Sequence, residues 1–118
     1  MAFINLLNLF QHPKELVDLS PKDLERKLKE NPRCTLIDVR TSSEYQSGHI
    51  KGAKLYPLGN EANIAHDFKV DQDIILICRT GHRSQAAAKV LLKHRFEHLS
   101  HLKGGMNAWI AANKPVEK

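Results

Sequence analysis

Across its most apolar segment and into a short basic loop the sequence runs Asp73-Ile74-Ile75-Leu76-Ile77-Cys78-Arg79-Thr80-Gly81-His82-Arg83-Ser84. An unbroken apolar run without alternation predicts a strand covered on both faces, hence parallel and central in its sheet. Helical spacing resumes directly after it, with Ala86, Ala87, Val90 and Leu91 on one stripe. A strand that turns straight into a helix is half of a βαβ unit, so the chain is expected to be an α/β layer structure with right-handed crossovers. Ligands of such sheets bind beyond the carboxyl ends of the strands, which is where residues 78–83 must lie.

Working outward, Ser20-Pro21-Lys22-Asp23 predicts a capped helix start, with Leu24 and Leu28 on one face and Asn31-Pro32 as its stop. Cys34 to Val39 reads as a buried strand, and Thr41 to Glu44 as a second capping box opening a short helix that Gly48 ends. Ala53 to Tyr56 predicts a brief strand, and Glu61 to Phe68 a helical turn. Glu97 to Leu102 predicts a strand, and Gly104-Gly105 leads into a last helix, Met106 to Ala112, with Met106, Trp109 and Ile110 as its packing face. Near the start, Phe3, Leu6, Leu7 and Phe10 form one apolar helical stripe, read as a docked helix, as a contact between copies, or as a membrane-surface foot, the last weakened by the lack of Lys and Arg.

At 118 residues the chain has room for one domain with its own core. An apolar fraction of 42% excludes a disordered or collagen-like chain. Two cysteines are too few for a secreted disulfide framework, and no apolar run reaches a membrane span. The apolar first ten residues carry no basic side chain and no cleavage site, so a signal peptide is not expected and a reducing cytoplasm is. The net charge of +5 fits nucleic acid or a small anion equally well, so position has to decide.

Position favours the small anion. Cys78 opens a loop in which Arg79 and Arg83 supply charge, Gly81 allows amides to curl inward, and a helix N-terminus supplies unpaired N–H groups. A thiol there is favoured as thiolate, the nucleophilic form. No stacked-aromatic module or DNA-reading motif appears, so no nucleic-acid partner is expected. Lys22, Arg26, Lys27 and Lys29 fall on what reads as a solvated helix face.

The loop resembles the active-site loop of the rhodanese (thiosulfate sulfurtransferase) family, Cys-x-x-Gly-x-Arg. Asp38-Val39-Arg40, Glu44-Tyr45, Gly48-His49-Ile50 and Gly52-Ala53 are similar to that family's first signature, and Leu102-x-Gly104-Gly105 with Ala108-Trp109 to its closing one. The resemblance implies a rhodanese-like three-layer sandwich: a central parallel sheet of about five strands with helices on both faces. It divides the chain into a helical extension at 1–17, a rhodanese domain at 18–113 and a tail at 114–118. It implies Cys78 as a persulfide-carrying nucleophile in a cradle of Arg79, Thr80, Gly81, His82 and Arg83, with Asp38, Arg40 and Glu44 as supports. The partners would be thiosulfate or a persulfide or polysulfide donor and a thiol or cyanide acceptor. No metal or organic cofactor is implied. A sulfur carrier or regulatory module without turnover, and phosphatase or arsenate chemistry, are the competing readings. Four residues separate Cys78 from Arg83, where cysteine phosphatases place five, and the shorter loop suits a terminal sulfur.

Arg83 is open between facing substrate and pairing with Glu44. His82 is expected to matter through its backbone, and His49 as a structural hydrogen-bonding group. His98 and His101, three apart on a strand, point to opposite faces and make poor joint metal ligands. Cys34 begins its strand where Cys78 ends one, too far for a disulfide if the strands are parallel. One departure is local: the family usually has glycine where Arg95 precedes Phe96, which predicts about 1 kcal/mol of left-handed strain or a different helix end.

Overall fold

A computed structural model of the protein describes residues 12–118. The apolar stripe Phe3–Phe10, and any contact between copies built on it, lies outside the described residues. Five strands, β1 (Val17–Leu19), β2 (Thr35–Asp38), β3 (Lys54–Leu55), β4 (Asp73–Ile77) and β5 (His98–Leu102), form one sheet in the order β1-β5-β4-β2-β3. Every pairing is parallel. Five helices connect or follow them: α1 (Pro21–Glu30), α2 (Ser42–Ser47), α3 (Glu61–Asp67), α4 (His82–Lys93) and α5 (Gly105–Ala111). The expected architecture, a central parallel sheet between helical layers, is what the chain adopts.

β4 occupies the middle of the sheet, as its apolar run requires. Its side chains alternate between two cores. Ile74, Leu76 and Cys78 join Ile37, Val39 and Leu99 beneath Ile64 of α3 and Ala87, Ala88 and Leu91 of α4. Ile75 and Ile77 join Leu36 and Leu102 beneath Leu24 of α1 and Met106 and Trp109 of α5. All four aliphatic side chains from Ile74 to Ile77 are fully buried, and each contributes roughly 1.5–3 kcal/mol. This strand anchors both layers.

Both capping boxes form: Ser20 accepts from Asp23 N, Thr41 from Glu44 N, and each acidic partner accepts from the cap's own N–H. Lys27, expected on a solvated face, instead bridges α1 to β4 through Asp73 at 3.0 Å. The apolar stripe of α4 is rotated from the expected one. Ser84, Ala87, Ala88 and Leu91 are buried whereas Val90 is exposed, because the helix begins at His82 and docks through its small residues. Ile110 of α5 is likewise exposed. Arg95 takes the left-handed conformation at φ 69°, so of the two expected outcomes the strained one is observed.

β1 had no signal in the sequence. It is three residues long, and its hydrogen-bonding register sets Val17 beside Ser100 and Asp18 beside His101. The expected 17/18 boundary therefore falls inside a strand, and Leu16 already belongs to the core.

Candidate active site

β4 delivers Cys78 to the carboxyl edge of the sheet, where the residue is 1% exposed. The chain then rises through exposed Arg79 and Thr80 and turns back at Gly81, which sits at φ 102°. That left-handed turn, which only glycine adopts without strain, aims the Gly81 N–H at Cys78 Sγ, 2.8 Å away. α4 starts at the next residue and no side chain caps it, so its first-turn N–H groups remain available beside the thiol. An N–H donor and a helix N-terminus are the groups that accommodate an anion bound above this turn. The loop is built to hold an anion.

The loop is clamped from the other side by α5. Met106 N donates to Cys78 O at 2.8 Å and Asn107 N to Arg79 O at 3.1 Å. These bonds need close contact, and a Cβ on Gly105 would stand 2.4 Å from Cys78 O. The Gly104-Gly105 pair thus brings the start of the last helix onto the loop backbone.

Arg83 faces Glu44. Its Nη1 and Nη2 donate to Oε1 and Oε2 at 2.6 and 2.8 Å, a bidentate pair between α4 and α2 that settles the open question of its partner. The Arg83 guanidinium lowers the Glu44 carboxyl to about 2, burial opposing and Thr41 assisting. A carboxyl depressed on folding adds stability above its ordinary value of 4.5 and loses it as pH falls through about 2. Glu44→Gln is therefore expected to cost about 1–2 kcal/mol at neutral pH, discounted for partial exposure. Urea unfolding of both proteins should show that gap closing across this acid window. A gap of constant size would mean that the ion pair is not its source.

Asp38 and Arg40 also form a pair, but not with the loop. Arg40 Nε and Nη2 donate to Asp38 at 2.8–3.1 Å, and Nη2 also donates to Gly48 O at 2.8 Å. The expectation that they brace the Cys78 loop is corrected: their side chains tie the end of β2 to the end of α2. His82 is exposed and its ring meets the Thr80 hydroxyl at 3.1 Å. His49 hydrogen-bonds Tyr45 O and stacks on the Tyr45 ring, a structural role as expected.

Beneath the loop lies a network the sequence did not reveal. Ser84 Oγ stands 3.5 Å from Cys78 Sγ, 3.0 Å from Gly81 O and 2.6 Å from His101 Nδ1. His101 Nε2 meets Asp18 Oδ1 at 2.7 Å, and His12 Nε2 meets the same oxygen at 2.6 Å. The three residues put ligand-type atoms within 4.8 Å of one another, but the two imidazoles already share the Asp18 oxygen, so the trio is closed by its own hydrogen bonds. A cavity of about 340 Å³ joins His12, Asp18 and His101 to Thr80 and Gly81. Cys34 is remote and half-buried; burial, with Asp73 adding, pushes its thiol up, away from reactivity.

Comparison with known proteins places this geometry. The rhodanese-like domain family matches residues 20–112. The thiosulfate sulfurtransferase GlpE of Pseudoalteromonas translucida is 37% identical over 84 residues, covering 70% of this chain and 80% of that protein. The GlpE of Vibrio cholerae is 33% identical over 90 residues, covering 75% and 83%. Among solved structures, the rhodanese-like domain of an Anabaena protein superposes with a TM-score of 0.78 at 31% identity, covering 85% of this chain and 77% of that one.

Proposed function

The chain belongs to the rhodanese-like domain family, and from that premise we propose that it is a sulfurtransferase whose transferred sulfur is carried on Cys78. The observation that supports the residue is the Gly81 N–H at 2.8 Å from a buried sulfur, beside an uncapped helix start. In the first displacement the Cys78 thiolate attacks the outer sulfur of thiosulfate. The S–S bond of the donor breaks and sulfite leaves with the electron pair. The Cys78 persulfide anion then rests against the loop amides and the start of α4, where its charge is stabilised. An acceptor thiolate or cyanide attacks the terminal sulfur, and Cys78 departs as thiolate, ready for another donor.

Thiosulfate, a persulfide or a polysulfide serves as donor, and a thiol as acceptor, with Arg79 exposed beside the loop to draw in the anion. Such acceptors are kept reduced in a cytoplasmic setting. Among the described residues no helix is long and apolar enough to cross a membrane. Phosphoryl chemistry is the weaker reading, since both Arg83 Nη atoms that would grip an oxyanion are held by Glu44.

The test is mass spectrometry after incubation with thiosulfate. A gain of one sulfur, about 32 Da, is expected on the Cys78 peptide, discharged by added thiol. No adduct with thiosulfate or polysulfide would overturn the assignment. Loading without discharge would make the protein a carrier instead of a catalyst.

A further inference from the structure

We propose that Ser84, His101 and Asp18 form a proton relay, buried at Ser84 and His101 and open to solvent at Asp18, that takes the proton from Cys78 and holds it while the sulfur reacts. The proposal rests on Cys78 being the sulfur-carrying residue, and it adds the group that arms it. Ser84 touches the reacting sulfur; His101 and Asp18 act through it as positioning residues.

The hydrogen-bond inventory dictates the direction of travel. An ionised Asp18 can only accept, so the 2.7 Å contact requires a proton on His101 Nε2. In a neutral ring Nδ1 is then a bare lone pair, and its 2.6 Å neighbour Ser84 Oγ must donate to it. A serine has one proton. It has two acceptors in reach, His101 Nδ1 at 2.6 Å and Gly81 O at 3.0 Å, and with the proton on the shorter contact the Ser84 oxygen presents lone pairs to Cys78 Sγ at 3.5 Å, which is the arrangement a thiol S–H needs.

Transfer follows by two short hops. The Cys78 S–H bond breaks and its proton joins Ser84 Oγ, while the original Ser84 proton moves to His101 Nδ1. The products are a Cys78 thiolate, an unchanged serine hydroxyl and an imidazolium beside the Asp18 carboxylate. Ser84 has reversed its role: His101 Nδ1–H now donates to its oxygen, and its hydroxyl donates to the thiolate. No oxidant or co-reactant enters the balance.

The surroundings suit a base that rests neutral. His101 is 2% exposed and Ser84 is fully buried, so the two hops between Cys78 and His101 run inside the protein, and only the Asp18 end meets solvent. Burial lowers the affinity of His101 for a second proton below the usual histidine range, Asp18 opposing and His12 and Lys103 adding. Partial burial pushes the Asp18 carboxyl up, but the hydrogen bonds from His12 and His101 together outweigh it and keep the group below the usual carboxylate range. The charged and titratable groups facing the imidazole are thus Asp18 from β1, His12 from the segment before it, Lys103 at the end of β5, and Cys78 through Ser84.

Cys34→Ser provides the background, since Cys34 is the only other thiol. Alkylation of Cys78 by iodoacetamide is followed by mass across the pH range, with sulfur loading from thiosulfate measured on the same proteins. In His101→Gln the alkylation rate is expected to fall about tenfold near neutral pH and to rejoin the parent above about pH 9, where hydroxide ionises a thiol unaided. Ser84→Ala, which removes the bridge and spares the imidazole, should reproduce that shift if His101→Gln fails to fold. Superimposed pH profiles in folded variants that still load sulfur would overturn the relay alone. A parent protein that never loads sulfur on Cys78 would overturn the sulfurtransferase reading instead.

Discussion

Gly105→Ala is expected to destabilise the protein by about 3 kcal/mol or more, lowering its melting temperature by about 10 °C or more. The new Cβ would lie 2.4 Å from Arg79 C, 2.4 Å from Cys78 O and 2.5 Å from Arg79 O, all backbone atoms that cannot swing aside. Relief requires separating α5 from the loop, which lengthens the Met106–Cys78 and Asn107–Arg79 hydrogen bonds. Each is worth about 1 kcal/mol, and an alanine at φ 60° adds roughly 1–2 kcal/mol of left-handed strain. The loop moves with the helix, so sulfur transfer is expected to fall by about a hundredfold even in the folded fraction. Gly52→Ala is the control. Its φ is 87°, yet nothing lies within 4 Å of its added Cβ, so only the strain of about 1–2 kcal/mol applies. Thermal melts of the two variants distinguish steric exclusion from backbone strain, and equal losses would refute the clamp.

A loss of about 3–5 kcal/mol is expected from Asp38→Asn. Asp38 is fully buried and Arg40 nearly so, and three side-chain contacts join them. Removing the carboxylate charge leaves a guanidinium in a low-dielectric site with only neutral acceptors, one amide oxygen and the Gly48 carbonyl. The pair itself need not be stabilising, because two charges had to leave water to form it. Asp38→Asn combined with Arg40→Met should therefore cost less than Asp38→Asn alone, the reverse of additive behaviour. Urea unfolding of the three proteins tests this. A double variant as unstable as the sum of its single changes would place the energy in packing and not in the unpaired charge.

What the chain declared in one dimension was local. The apolar run of β4, the capping boxes at Ser20 and Thr41 and the glycine turn after Cys78 depend on neighbours a few residues apart, and each formed where its pattern said. Val90 and Ile110 face solvent against the sequence pattern because helical periodicity tolerates a rotation that only the partner surface decides. β1 escaped notice because Val17-Asp18-Leu19 is too short for any pattern and is made a strand by β5. The network under the loop escaped for a related reason. Asp18 and His101 are 83 residues apart, and only the sheet order sets them side by side. Ser84 was visible in the loop but had no evident partner until β5 arrived beneath it.

The parallel register of β2 and β4 has a kinetic meaning. Thr35 pairs with Ile74 and Asp38 with Ile77, so Cys34 sits at the foot of the sheet and Cys78 at its head, about 16 Å away. Disulfide formation needs the two α-carbons within about 7 Å. The persulfide proposed for Cys78 therefore could not be resolved by a second thiol of the same molecule. Its residence time is set from outside, by the concentration of whatever acceptor reaches the loop. On that proposal the protein would be a one-atom reservoir where acceptors are scarce, and a conduit whose flux scales with encounter where they abound.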